Sequence, residues 1–268
     1  MEILQKAIKI AEKAGKLILK ESQETIHISE KGTNDFVTNV DQASEELIIA
    51  EIHKHFPDHA ILAEESASTL TDTDAEYIWI IDPIDGTLNF THAIPYYSVS
   101  IAVLKIQSSK HSKNYDYLSG ELIAGVVHAP ALGETFYAAK GKGAYFNGQK
   151  IQVSKAKTLK KSITATGFPS TNKEMNLPYY SKMLEKTQGI RRFESAALDL
   201  CYIACGRLDI FWEFSLSPWD IAAGSLIVEE AGGSVSDTNG NMLDLFGKDI
   251  LATNGKVHKA TIASFKNL

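Results

Sequence analysis

Two aspartates stand at the end of a strongly apolar segment, with a glycine and a threonine directly behind them. Residues 77–81 are continuously apolar, as in a fully buried strand, and Asp82 and Asp85 follow. Gly86 permits a tight turn, and with Thr87 it offers backbone N–H groups to an anion. Carboxylates would repel that anion unless a cation lay between them, and Mg²⁺ binds both carboxylate and phosphate oxygens. The segment therefore predicts metal-assisted phosphate chemistry, and acids that only cap the next helix are the alternative.

Three further acids stand at the ends of predicted elements. Asp41 precedes a helical pattern, Glu64 follows a short apolar strand, and Asp220 precedes a helix predicted for residues 221–231. Each has a purely structural interpretation, because Asp41 and Asp220 suit helix N-caps and Glu64 with Glu65 suits a solvated turn. The residues alone leave both interpretations open.

The segment from Asp82 to Phe90 reads D-P-I-D-G-T-L-N-F and resembles the inositol monophosphatase family, whose members are Mg²⁺-dependent, lithium-sensitive sugar phosphatases. The resemblance runs over nearly the whole chain. Its other matching positions are Asp35, Val37, Thr38 and Asp41; Glu64, Glu65 and Ser66, with Ala63 replacing a usual Gly; and Trp219, Asp220, Ala222, Ala223 and Gly224. The resemblance implies an α/β fold built as a five-layer α/β/α/β/α sandwich, a homodimer, and Mg²⁺-dependent hydrolysis of a phosphate monoester such as myo-inositol monophosphate.

The resemblance also implies roles for individual residues. The metal ligands would be Glu64, Asp82, the carbonyl of Ile84, Asp85 and Asp220, for two or three Mg²⁺ ions per site. The catalytic residues would be Thr87, Asp41 and Glu64, with the Thr87 hydroxyl bonded to Asp41 and orienting the attacking water. The substrate contacts would be Asp85, Gly86, Thr87, Ala196, Glu213 and Asp220.

Composition limits the other possibilities. The chain has 268 residues, 44% of them hydrophobic, and a net charge of -6, which argues against a surface that coats nucleic acid. The sequence begins with a mixed-charge helical pattern and contains no apolar run long enough for a membrane span. Cys201 and Cys205 lie one helical turn apart and suit packed thiols, so a cytoplasmic protein is expected. P-loop, G-x-S-x-G and zinc-ligand patterns are absent from the sequence.

The chain is expected to form one compact unit of two halves. Residues 1–150 would carry most metal ligands, and residues 151–268 would complete the site with an α/β pattern. The sequence K-G-K-G at 140–143 suggests a phosphate loop only weakly, because no helical pattern follows it. Asn147-Gly148 predicts a hairpin turn, and the polar residues 107–116 predict a surface loop.

Two questions about function stay open. Related enzymes of the superfamily act on fructose 1,6-bisphosphate, histidinol phosphate or 3′-phosphoadenosine phosphates, and a regulator that binds RNA or the transcription machinery is a non-enzymatic alternative. The chain also departs from the family pattern, because Glu194 stands where Gly is usual. If that position needs a positive φ, Glu194 is strained, and its charge would repel a second phosphate unless Arg191 or Arg192 pairs with that phosphate.

Overall fold

A computed structural model describes residues 2–32, 35–66, 75–106, 120–169, 172–266 and 268 of the chain. The helices in these ranges are α1 (Glu2–Glu21), α2 (Asn39–His55), α3 (Thr87–Thr91), α4 (Leu177–Lys186), α5 (Ala196–Ala204), α6 (Pro218–Glu230) and α7 (His258–Phe265). The strands are β1 (Ile28–Gly32), β2 (Asp35–Thr38), β3 (Ala60–Ala63), β4 (Tyr77–Asp85), β5 (Ser98–Ile106), β6 (Gly120–Ala129), β7 (Glu134–Ala139), β8 (Ala144–Phe146), β9 (Gln149–Lys150), β10 (Ile163–Thr166), β11 (Gly189–Arg191), β12 (Ile210–Phe214), β13 (Ser234–Ser236) and β14 (Asp249–Thr253).

The larger sheet has the strand order β3-β4-β5-β6-β7-β8-β9, and helices α1 and α2 cover one of its faces. Apolar residues recur on α1 at helical spacing and pack on the sheet together with Ile48 and Ile52 of α2. Strand β4 pairs in parallel with β3 and antiparallel with β5, so it is buried on both edges. Its two faces are buried as well, because Ile78 and Ile80 belong to the core on one side of the sheet and Trp79 and Ile81 to the core on the other, which explains the continuous apolar run before Asp82.

Helices α5 and α6 form the central layer between the larger sheet and a smaller one of order β11-β10-β12-β14-β13. Small residues let these elements approach closely. A Cβ on Gly224 of α6 would lie 2.6 Å from Leu200 of α5, and one on Gly125 of β6 would lie 2.9 Å from the carbonyl oxygen of Ala223. The central layer therefore joins residues from both halves of the chain in one hydrophobic core.

Helices α4 and α7 cover the outer face of the smaller sheet through a separate core of Met183, Ile210, Trp212, Phe214, Leu251, Val257 and Phe265. The layers thus alternate as helix, sheet, helix, sheet and helix, which confirms the predicted fold class. The division at residue 150 remains a prediction. No helix in the described ranges is long and apolar enough to cross a membrane.

Two predicted turns have clear structures. Asn147 (φ 46°) and Gly148 (φ 82°) link β8 to β9, which confirms the hairpin. In the K-G-K-G turn, the N–H groups of Gly141 and Gly143 each donate to the Glu230 carboxylate at 2.7 Å. This turn therefore binds a carboxylate of its own chain, which accounts for its glycines without a phosphate. The predicted surface loop at 107–116 lies outside the described residues.

Candidate metal and phosphate site

Asp82 and Asp85 lie at the carboxyl end of β4, and an irregularity in the strand brings them together. In a regular strand, residues three apart point to opposite faces of the sheet. Here Asp82 pairs with Ser100 and Asp85 with Ser98, so β4 has one more residue than β5 in this interval. One carboxylate oxygen each from Asp82, Asp85 and Asp220 consequently lie within 4.8 Å of one another.

Asp41 and Asp220 occupy equivalent positions in two different helices. Thr38 is the N-cap of α2 and its N–H donates to Asp41 Oδ2 at 2.8 Å, while Ser217 is the N-cap of α6 and its N–H donates to Asp220 Oδ2 at 2.7 Å. Both acids therefore occupy the third helical position (N3) of a capping box, and the interpretation of either as an N-cap is wrong. Helix α6 begins at Pro218, three residues earlier than predicted.

The clustered carboxylates raise one another's pKa values. Burial raises the pKa of Asp82 well above its usual range, and the charges of Glu64, Asp85 and Asp220 raise it further. Burial and the charges of Asp85 and Glu64 act in the same direction on the pKa of Asp220. A cation at this place would relieve both the burial cost and the repulsion, and carboxylates are ligands that Mg²⁺ prefers. The donor set therefore fits a divalent metal ion.

The start of α5 donates two hydrogen bonds to the carboxylate of Asp85. Its Oδ2 accepts the Ser195 hydroxyl at 2.6 Å and the Ala197 N–H at 2.8 Å. Burial raises the pKa of Asp85 to about 6, although these hydrogen bonds favour the charged form. Ala196, a predicted substrate contact, lies between these two residues and is buried.

The turn after Asp85 requires glycine. Gly86 has φ 96°, and a Cβ there would lie 3.1 Å from the carbonyl oxygens of Glu194 and Tyr96. Thr87 follows, and its hydroxyl lies 3.1 Å from Asp41 Oδ1 and 3.0 Å from the carbonyl oxygen of Ile84. Because a hydroxyl has one proton, Thr87 donates to only one of these acceptors at a time.

Glu213 lies on β12. Burial raises the pKa of its carboxylate well above the usual range, and the charges of Asp199 and Asp220 raise it further. A Cβ on Gly167 would overlap this carboxylate, so glycine at 167 makes room for it. The structure thus places the predicted substrate residue Glu213 on the side of the site that the smaller sheet contributes.

Several supporting residues were not predicted from the sequence. Ser195 and Gly167 contact site residues, as described above, and Glu45 on α2 accepts the N–H of Glu65 at 2.8 Å, next to Glu64. Asn89 donates to the carbonyl oxygens of Tyr96 and Phe193 at 2.7 and 2.6 Å, and so ties α3 to the segment before α5. Two of these residues had a usable signal: Glu45 lies one helical turn after Asp41 on the same face of α2, and Asn89 belongs to the D-P-I-D-G-T-L-N-F segment.

Glu194, which stands where the family pattern usually has Gly, does adopt a positive φ. Its φ is 66°, in the region that favours glycine, and its carboxylate forms an ion pair with Arg192. Arg191 instead donates to the carbonyl oxygen of Ile190 at 3.2 Å.

Replacing Glu194 by Gly is expected to raise the free energy of unfolding by about 1 kcal/mol, because a side chain in this region costs about 1–2 kcal/mol and an exposed ion pair returns less. Urea unfolding of wild type and Glu194→Gly measures the effect. Glu194→Ala is the matched control, since it removes the ion pair and keeps a Cβ at the positive φ. Equal stabilities of the Gly and Ala variants would show that the backbone is unstrained.

Comparisons with known proteins show the family and the relatives of the chain. A family model described as the inositol monophosphatase family matches residues 1–268. The Nus factor SuhB of Escherichia coli K12 is 42% identical over 99% of this chain and 96% of its own length. The fructose-1,6-bisphosphatase/inositol-1-monophosphatase of Thermotoga maritima is 38% identical over 98% of this chain and 95% of its own. The structure of inositol monophosphatase from Anabaena sp. PCC 7120 superimposes with a TM-score of 0.86 and 37% identity, covering 100% of this chain and 96% of that one.

Proposed function

Since the chain belongs to the inositol monophosphatase family, we propose that it is a Mg²⁺-dependent phosphatase that hydrolyses phosphate monoesters of polyols, with myo-inositol monophosphate as the leading substrate. The observation that carries this proposal is the cluster of the buried Asp82 and Asp85 with the half-buried Asp220, in which one carboxylate oxygen from each lies within 4.8 Å of the others. Buried like charges at this distance are costly without a cation, so a structural role alone does not explain them.

The proposal includes two neighbouring metal positions. Glu64, Asp82 and the carbonyl of Ile84 would hold one ion, while Asp82, Asp85 and Asp220 would hold the other. Bound Mg²⁺ would neutralise the phosphate and the charge that develops on the leaving oxygen. The capping boxes at Thr38 and Ser217 fix the carboxylates of Asp41 and Asp220 before any ligand arrives, which reduces the ordering cost of binding.

Thr87 and Asp41 are proposed to orient the attacking water. With the Ile84 carbonyl engaged in the metal site, the Thr87 proton would go to Asp41, and the hydroxyl oxygen would accept a proton from water. Asp41 is suited to this role because Thr38 holds its other oxygen and α2 buries it. Glu64 is the third proposed catalytic residue, because it would hold one of the metal ions.

The remaining contacts would hold the phosphate and the polyol. Backbone N–H groups of Gly86 and Thr87 are proposed to bind phosphate oxygens at the turn that Gly86 makes possible. Carboxylate oxygens of Asp85, Glu213 and Asp220 would accept hydrogen bonds from the hydroxyls of the polyol, and backbone N–H groups around Ala196 would donate to hydroxyl oxygens. A polyol suits this acidic pocket because its hydroxyl groups donate hydrogen bonds.

Thr87→Ala is expected to lower kcat by about 100-fold or more, as for loss of a general-base contact, and to leave Mg²⁺ affinity nearly unchanged. Steady-state kinetics and calorimetric Mg²⁺ titration test the two halves of this expectation. Thr91→Ala is the matched control, because Thr91 lies on the same helix and donates only to the carbonyl oxygen of Leu88 among the described contacts. A kcat near that of wild type in Thr87→Ala would show that another group orients the attacking water.

The proposed function is tested by measuring phosphate release from a panel of monoesters with and without Mg²⁺. The panel contains inositol 1-phosphate, fructose 1,6-bisphosphate, histidinol phosphate and 3′-phosphoadenosine 5′-phosphate. Mg²⁺-dependent turnover that is fastest with inositol 1-phosphate supports the proposal in full. Turnover that is fastest with another compound supports phosphatase activity and assigns a different substrate. Absence of turnover with all of the compounds contradicts the proposal.

A second candidate function is a regulator that binds RNA or the transcription machinery. It is favoured by one observation, the 42% identity to proteins called Nus factor SuhB. Binding of the purified protein to RNA polymerase or to RNA, unaffected by Asp82→Asn, would support this role independently of catalysis. A homodimer and a cytoplasmic location remain part of the proposal, and light scattering of the purified protein tests the former.

A further inference from the structure

The segment Arg192–Glu194 borders the proposed site directly. Glu194 precedes Ser195, whose hydroxyl donates to Asp85 at 2.6 Å. The carbonyl oxygen of Glu194 also faces Gly86, at 3.1 Å from the position that a Cβ on Gly86 would occupy. The side chain of Glu194 therefore leaves the backbone at the edge of the metal and phosphate site.

Arg192 is held at the same edge by two contacts. Its Nε forms an ion pair with Glu194 Oε1, and its guanidinium lies 5.1 Å from the centre of the Phe168 ring. Phe168 follows Gly167, the residue whose missing Cβ makes room for Glu213. Both charged side chains keep contact with solvent, with 44% of Arg192 and 29% of Glu194 exposed, so an incoming ligand can reach them.

A second phosphate on a substrate would compete with Glu194 for this guanidinium. Arginine presents a planar set of donors that fits carboxylate and phosphate equally well in shape. The sequence-based expectation of direct repulsion by Glu194 is incomplete, because Arg192 balances that charge. The pair is neutral as a whole, and it engages the Nε–H donor of Arg192 and holds the guanidinium beside Glu194.

We propose that Glu194 restricts this protein to substrates with one anionic group, because it keeps Arg192 in an ion pair that a second phosphate would otherwise form. The proposal rests on the proposed function and adds a specificity-determining residue to it. It concerns a residue that is unusual for the family pattern, so it applies to this chain in particular.

The test compares fructose 1,6-bisphosphate with fructose 1-phosphate, which differ only in the second phosphate. The measured quantity is the ratio of the two kcat/KM values. Glu194→Gln, which keeps the side-chain length and the backbone φ, is expected to raise this ratio roughly fivefold, the equivalent of the about 1 kcal/mol of an exposed ion pair. The double variant Glu194→Gln with Arg192→Ala should lose that increase, because the gain requires the released guanidinium.

Two further variants keep the test decisive. Arg191→Ala removes the same charge one position away and should leave the ratio where wild type has it. Glu194→Gly removes the carboxylate and relieves the backbone, so it replaces Glu194→Gln if that variant folds poorly. An unmoved or lower ratio in the Glu194 variants, or an increase that survives the loss of Arg192, overturns the inference. Absence of phosphate release from every compound in wild type contradicts the proposed function instead.

Discussion

Asp82→Asn is expected to abolish turnover while the metal-free protein becomes more stable. Asp82 is proposed to touch both metal positions, so its loss removes charge neutralisation from the transition state and should lower kcat by about a thousandfold or more. In the metal-free protein, the same carboxylate is buried beside Glu64, Asp85 and Asp220, and burial with their charges raises its pKa well above the usual range. An uncharged amide relieves this repulsion.

Phosphate release and urea unfolding, both on wild type and Asp82→Asn, measure the two effects. Asp58→Asn serves as the control, because Asp58 is an exposed acid in the turn before β3. Wild-type turnover in Asp82→Asn would remove this residue from the chemistry. A large loss of stability without metal would show instead that the carboxylate has a structural role, for example through the Ile84 N–H that it accepts at 2.9 Å.

The metal-free protein is expected to lose stability as pH rises from about 4 to about 7. Burial raises the pKa of Asp85 to about 6 in the folded protein, so the unfolded chain releases its proton first. A raised pKa of an acid means that folding is favoured while the group stays protonated, and this contribution is lost as pH passes through the folded-state value. A difference of about two pH units corresponds to about 3 kcal/mol for this residue.

Urea unfolding at several pH values, without metal and with Mg²⁺, measures this dependence. Mg²⁺ should reverse the trend, because it binds the ionised carboxylates and stabilises the folded state that holds it. Asp85→Asn should flatten the metal-free profile, and its amide oxygen can still accept from Ser195 and Ala197. Metal-free stability that rises over this pH range in wild type, or an identical slope in Asp85→Asn, would contradict the assignment of a raised pKa to Asp85.

The acids of the site were predictable because each stands at the end of a recognisable element. Asp82 and Asp85 follow an apolar run, and the short length of that run and the turn residues after it predict a buried strand. The five-layer arrangement was expected from the resemblance, because the order of sheets and helices depends on contacts between distant segments. Asp41 and Asp220 are not the expected N-caps, but one carboxylate oxygen of each completes a capping box, and this structural role is compatible with the proposed functional one.

The unpredicted residues act over long distances in the sequence. Ser195 contacts Asp85 across 110 positions, and Gly167 matters only because β12 brings Glu213 against it. The ion pair between Arg192 and Glu194 is local, yet its orientation depends on the positive φ of Glu194. A local sequence pattern does not show which distant side chain will pack against a given residue in the fold.

Anomalous diffraction from crystals grown with Mn²⁺ in place of Mg²⁺ shows directly whether these carboxylates bind metal. A strong peak is expected among the carboxylate oxygens of Asp82, Asp85 and Asp220, and a second peak beside Glu64, Asp82 and the Ile84 carbonyl. Occupancy at the first position should disappear in Asp220→Asn crystals. Fully occupied Mn²⁺ elsewhere in the protein, with no peak among Asp82, Asp85 and Asp220, would contradict the proposed metal site.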